Sequence, residues 1–174
     1  LGSGASGNHR SKGLKIYNYD GGIIKTTGTG DSPIKAFHVV DFEFVNYKGG
    51  TIEGADRHAV NIEQSQDINF TNHGTITAAD KSVLYCKTCS DVTFINTGTM
   101  SGGNNAVVIS HGDNTTITNS GTITATAANS GMSINQSDGT VVTNTGTISG
   151  VGMGMQSSNV DNSTITNHGT ISAS

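Results

Sequence analysis

The chain has 174 residues, enough for one ordinary domain, with 24 Gly, one Pro, no Trp and only 5% aromatic residues. So few large side chains exclude a single thick globular core and favour a narrow core of stacked small aliphatics. A net charge of −4 with no basic cluster argues against a nucleic-acid partner, and no run of about 18 apolar residues offers a membrane helix.

At the start, LGSGASGNHRSKG lacks the apolar centre of a signal peptide. Residues 1–13 read as a flexible lead-in or cloning remnant, and the whole as a piece of something longer. Residues 14–174 read as one repeat domain of about seven rungs. The first rung, 14–44, is irregular: YNYDGGII around Gly22, FHVV at Phe37 and DFEF at Asp41, with an insert TTGTGDSP that carries Pro33.

Regular repeats fill residues 45–174. One phrase recurs: Asn, one or a few variable residues, Gly, Thr, then Ile or Met. It reads NYKGGTI at Asn46, NHGTI at Asn72, NTGTM at Asn96, NSGTI at Asn119, NTGTI at Asn144 and NHGTI at Asn167. The Gly before each Thr falls at Gly50, Gly74, Gly98, Gly121, Gly146 and Gly169. The steps are 24, 24, 23, 25 and 23 residues, a solenoid period.

Two more segments repeat in phase. One is a small apolar run: AVNI at Ala59, VLYC at Val83, AVVI at Ala106, GMSI at Gly131 and GMQS at Gly154. The other precedes each Asn: DINF at Asp67, DVTF at Asp91, TTI at Thr115, TVV at Thr140 and STI at Ser163. All alternate apolar with polar residues, the period of a half-buried strand, and turn residues such as Gly54-Ala55-Asp56 separate them. No stretch has a helical period. The expectation is an all-β, right-handed parallel β-helix with three short strands per rung and a period of about 24 residues.

Alternation also sets the inward residues. Ile52, Ile76, Met100, Ile123, Ile148 and Ile171 form one column. Val60, Leu84, Val107, Met132 and Met155 form a second, joined by Ile62, Cys86, Ile109 and Ile134. Phe70, Phe94, Ile117, Val142 and Ile165 form a third. Two residues further, with the same parity, come Asn72, Asn96, Asn119, Asn144 and Asn167, expected to stack as a structural ladder whose amides bond along the axis. The Gly that follows is expected to supply positive φ for a tight turn. The Asn-Xaa-Gly phrase is thus a corner rather than a binding motif.

Cys86 and Cys89 sit together in YCKTCS. A redox dithiol needs a helix start, and zinc needs two further ligands that His73 and His111, isolated in sequence, do not supply. A β-turn brings residues i and i+3 within about 7 Å, so a local disulfide is the expectation and buried free thiols the alternative.

Every Lys and Arg lies at or before Lys87, whereas the second half carries only Asp91, Asp113, Asp138 and Asp161. Binding residues are therefore sought in the charged rungs: Arg57, His58, Glu63 and Lys87. Catalysis on a β-helix needs clustered carboxylates with a basic partner. The outward column Asn61, Glu63, Tyr85, Val108, Ser133 and Gln156 offers one carboxylate, so neither catalytic nor metal residues nor a cofactor are assigned. Ser32 reads as a loop residue. Outward rows such as Thr75 with Thr77 and Thr122 with Thr124 leave an alternative, an ice-binding face that orders water, although Ser replaces Thr in three rungs and Glu53 interrupts the first. A carbohydrate-active β-helix enzyme is the other alternative.

The repeats NHGTITA, NSGTITA, NTGTISG and NHGTISA resemble passenger domains of bacterial autotransporters, closest to the AIDA-like self-associating adhesins, over about residues 45–174. The resemblance implies secretion through an outer-membrane β-barrel belonging to the parent chain. It also implies display on the bacterial cell surface and non-catalytic contact with a cell-surface protein, a glycan or another copy. Cysteines close together, as Cys86 and Cys89 are, fit such passengers. The sequence shows none of the signal peptide, aromatic-rich cap, barrel or protease loop found in some of them.

Overall fold

The structure is a computed structural model and describes residues 10–174. Short strands wind into a parallel β-solenoid of three sheets, and the described residues hold no helix. The threonine sheet stacks Ile23–Lys25, Thr51–Gly54, Thr75–Ala78, Thr99–Gly102, Thr122–Ala125, Thr147–Gly150 and Thr170–Ala173. The middle sheet stacks Ile34–Phe37, Val60–Glu63, Leu84–Lys87, Val107–Ser110, Ser130–Asn135 and Met153–Ser158. The asparagine sheet runs from Lys15–Asn18 through Val39–Asn46, Gln66–Asn72, Ser90–Asn96, Thr115–Asn119 and Val141–Asn144 to Thr164–Asn167. Every pairing is parallel and joins a strand to its counterpart one repeat away, which is why the sequence period becomes the rung.

The three inward columns are in register. Met100 faces Ile76 and Ile123, Leu84 faces Val60 and Val107, and Phe94 faces Phe70 and Ile117. These side chains are almost wholly buried. In the last rung, covered on one side only, Ile165 is 47% exposed. The third column also extends upstream to Phe44, whose ring stacks on Phe70 at 4.5 Å, while Phe70 stacks on Phe94 at 5.4 Å. Three aromatic rungs therefore thicken the N-terminal part of a core that is otherwise aliphatic.

The asparagine ladder runs through seven rungs. Each Nδ2 donates to the next Oδ1: Asn18 to Asn46, Asn46 to Asn72, Asn72 to Asn96, Asn96 to Asn119, Asn119 to Asn144 and Asn144 to Asn167, all at 2.7–2.9 Å. Each amide also donates to the carbonyl of its own corner, as Asn96 does to Gly98 at 3.3 Å. Asn46, Asn72, Asn96, Asn119 and Asn144 have no exposed area, and these bonds satisfy amides that would be costly to bury alone.

The corner glycines do not serve the role expected of them. Gly50, Gly74, Gly98, Gly121, Gly146 and Gly169 have no positive φ. Their constraint is proximity: a Cβ at Gly98 would overlap the carbonyl oxygen of Gly74 one rung away, and the same holds at Gly121, Gly146 and Gly169. Positive φ occurs instead between the middle and asparagine sheets, where no glycine marks it in most rungs. His38 and Asp41, Gln64 and Asp67, Thr88 and Asp91, His111 and Asn114, and Asn159 and Asn162 are paired left-handed residues, with Gln136 paired to Gly139. Asp and Asn tolerate this region better than most side chains. Each pair brackets a residue that turns inward, and Val39, Ser65, Cys89 and Ser137 are nearly inaccessible there.

Cys89 occupies this inward corner position and Cys86 the inward position of the preceding strand. Their Cα atoms are 6.0 Å apart and the two sulfurs lie within bonding distance. Upstream, pairing begins before residue 14: Ser11–Lys12 runs parallel to Val39–Val40, and Lys12 Nζ is 3.3 Å from Asp41 Oδ2. Residues 1–9 of the expected lead-in lie outside the described residues.

Candidate functional site

The middle sheet carries an open groove of about 600 Å³ on its outer face. Its floor is the column Lys35, Asn61, Tyr85 and Val108, in register on successive strands. Its wall is made by the turns that lead from the threonine sheet: Arg57 and His58 from one, Lys81 and Ser82 from the next, Asn104 and Asn105 from a third. The insert with Pro33 closes the upstream end through Gly30, Asp31 and Ser32. Turns overhanging the sheet explain why outward residues are not fully solvated. Asn61 is 9% exposed, Val108 8% and Ser133 3%, although alternation points them away from the core.

Inside the groove, the His58 ring stacks on Tyr85 with centroids 4.4 Å apart and planes 10° apart. Burial pushes the His58 imidazole below its ordinary range, against the nearby Ser82 backbone and Glu63, which favour the charged form; Lys81 and Arg57 disfavour it. The ring is therefore neutral at pH 7. Asn61 Nδ2 donates to Glu63 Oε1 at 3.0 Å, leaving its own Oδ1 buried without a partner. His58 Nδ1 is likewise buried and unpartnered. Asp31 is engaged by Lys35 Nζ at 3.5 Å, and that ammonium also lies 5.1 Å from the centroid of the Phe37 ring. Among the described residues neither Arg57 nor Lys81 has an ion-pair partner.

Of the four binding residues expected from sequence, Arg57, His58 and Glu63 come together in this groove. Lys87 does not line it; it ends its strand, exposed, beside Glu63 and Ser110 in the sheet register. Sequence reasoning omitted Lys35, Lys81 and the two asparagines of the third turn. Their signal was positional, since Lys81 and Asn105 precede the same apolar run that Arg57 and His58 precede one or two repeats earlier.

A smaller hollow lies at the left-handed corner, lined by residues that include Arg10, His38, Gln64 and His111. Its polar groups are largely engaged with one another, as Arg10 is with Gln66 and His38 with Gln64. On the threonine sheet, Thr75, Thr99, Thr122, Thr147 and Thr170 align in one outward row, and Thr77, Ser101, Thr124, Ser149 and Ser172 in the other. Thr124 and Ser149 hydroxyls bond to each other at 3.0 Å. Among the described residues no cluster of three His, Cys, Asp or Glu side chains could hold a metal ion.

Comparison with known proteins finds no matching family model, no matching curated protein and no matching solved structure.

Proposed function

We propose that the chain is a non-catalytic adhesive segment of an exported, surface-displayed solenoid of the autotransporter-passenger kind. It contacts a cell-surface glycan or protein through the groove on the middle sheet. The observation that carries this reading is the contrast between that groove and the rest of the solenoid. Elsewhere buried polar groups are largely matched rung by rung, whereas the groove holds a buried amide oxygen, Asn61 Oδ1, and a buried imidazole nitrogen, His58 Nδ1, neither with a partner, beside the cations Arg57 and Lys81. Buried polar groups without partners are uncommon in folded proteins, and a ligand rich in hydroxyls or charge would engage them. A binding rather than catalytic role is favoured because both groove carboxylates are engaged, Asp31 by Lys35 and Glu63 by Asn61.

The test is adherence. Cells displaying the parent chain should attach to a surface or to one another, and Arg57→Glu with Glu63→Lys should weaken attachment. Attachment unchanged by these reversals would remove the groove as the contact surface. The threonine rows favour no second reading, because Ser replaces Thr at Ser101, Ser149 and Ser172, Glu53 interrupts the first rung, and the Thr124 and Ser149 hydroxyls bond to each other. On the adhesive reading the chain shows no thermal hysteresis.

A further inference from the structure

Resting on the reading that the groove is the contact surface, we propose that it takes a carboxylated sugar residue, with Arg57 and Lys81 receiving the carboxylate and Asn61 a hydroxyl. Charge complementarity is the first argument. Lys35 engages Asp31, which leaves Arg57 and Lys81 against Glu63 alone, a surplus of one positive charge in a chain whose net charge is −4. That surplus suits one carboxylate, and guanidinium and ammonium donors form charge-assisted hydrogen bonds with it.

The second argument is the polar matching. Asn61 is nine-tenths buried on the groove floor, its Nδ2 is used by Glu63, and its Oδ1 is a lone acceptor. An acceptor needs a donor, which a sugar hydroxyl is and a carboxylate is not. The third is shape: the stacked pair His58 and Tyr85 gives a flat, uncharged platform beside Asn61. Rings with one apolar face and polar rims pack on such aromatic surfaces. A free phosphate would use the cations but leave the platform unused.

The experiment titrates the chain with trigalacturonate and with 3′-sialyllactose, against galactotriose and lactose as the uncharged counterparts. A carboxylated sugar should bind about tenfold or more tightly than its counterpart, the size expected of one charged hydrogen-bonding contact. Arg57→Gln and Lys81→Gln, both surface changes, should each remove most of that preference. Lys48→Gln, an exposed cation outside the groove, should leave it intact. Binding of only one of the two acids supports the proposal and fixes which carboxylated sugar is the source. Equal binding of charged and neutral sugars, no binding of either acid, or equal losses in Lys48→Gln and Arg57→Gln would overturn it. If adherence persists while both acids fail to bind, the adhesive reading stands and the saccharide assignment falls.

Discussion

Gly98 stands so close to Gly74 that the carbonyl oxygen of Gly74 fills the space a Cβ at residue 98 would need; that oxygen accepts the Thr99 amide at 2.9 Å. Rung spacing at this corner is therefore set by backbone against backbone. Gly98→Ala must push two rungs apart and is expected to destabilise the fold by at least about 2 kcal/mol. Gly28, with nothing near its Cβ position and no positive φ, is the control. Gly28→Ala should stay within about 0.5 kcal/mol. Urea unfolding of both variants checks the pair, and equal tolerance would show that proximity is not the constraint.

The ladder predicts an asymmetry at Asn96. Asn96→Ala strands the buried Oδ1 of Asn119 and leaves the Nδ2 of Asn72 with its corner carbonyl but without its ladder acceptor, and should cost about 1–3 kcal/mol for the orphaned oxygen alone. Asn96→Asp keeps the acceptor for Asn72 but removes the donor to Asn119 and buries a charge. Its loss should grow as pH rises above the carboxyl range, whereas that of Asn96→Ala should not. Chemical denaturation at pH 4 and pH 8 separates the two.

Ile123 is fully buried between Met100 and Ile148, with Thr122 on the outer face one residue earlier. Ile123→Ala should cost about 2–5 kcal/mol through lost burial and the cavity left in a narrow core. Thr122→Val should change stability by about 0.5 kcal/mol or less. A Thr122→Val variant as damaged as Ile123→Ala would mean that the faces are inverted.

The Cys86–Cys89 bridge closes a very short loop, so it constrains the unfolded chain little. Reduction should lower stability by about 2 kcal/mol or less on the chain-entropy estimate, leaving the fold intact. Intact mass with and without reductant establishes the bond, and thermal melts under the same two conditions measure its contribution.

His58 gives a pH signature. Its pKa is lowered from 6.5 by burial, so the native state binds fewer protons than the unfolded state as pH falls below 6.5. Stability is full above that value and declines as pH drops through the window between 6.5 and the lower native value. His58→Phe keeps a ring against Tyr85 but cannot titrate. Its melting temperature should fall less between pH 7.5 and pH 5 than that of the parent, and identical falls would exclude a contribution from His58.

The period, the three strands per rung, the inward columns from Ile52 to Ile148 and the asparagine ladder were all legible in the sequence. So was the pairing of Cys86 with Cys89. Each of these depends on a residue and its counterpart one repeat away, and a solenoid makes sequence phase and spatial neighbourhood the same thing. Tertiary structure alone decided the rest. The left-handed corners at pairs such as Gln64 and Asp67 carry no glycine to announce them: Asp or Asn, which tolerate this backbone, closes most of the pairs, and the stacked rungs hold the other member in place. The corner glycines look like φ-driven turns in sequence, yet only stacking shows that they make room for the next carbonyl. The groove was hidden for the same reason: Arg57 and Lys81 are turn residues of different repeats. Whether such turns lean over Asn61 and Tyr85 or away from them depends on the angle at which the backbone leaves one sheet for the next.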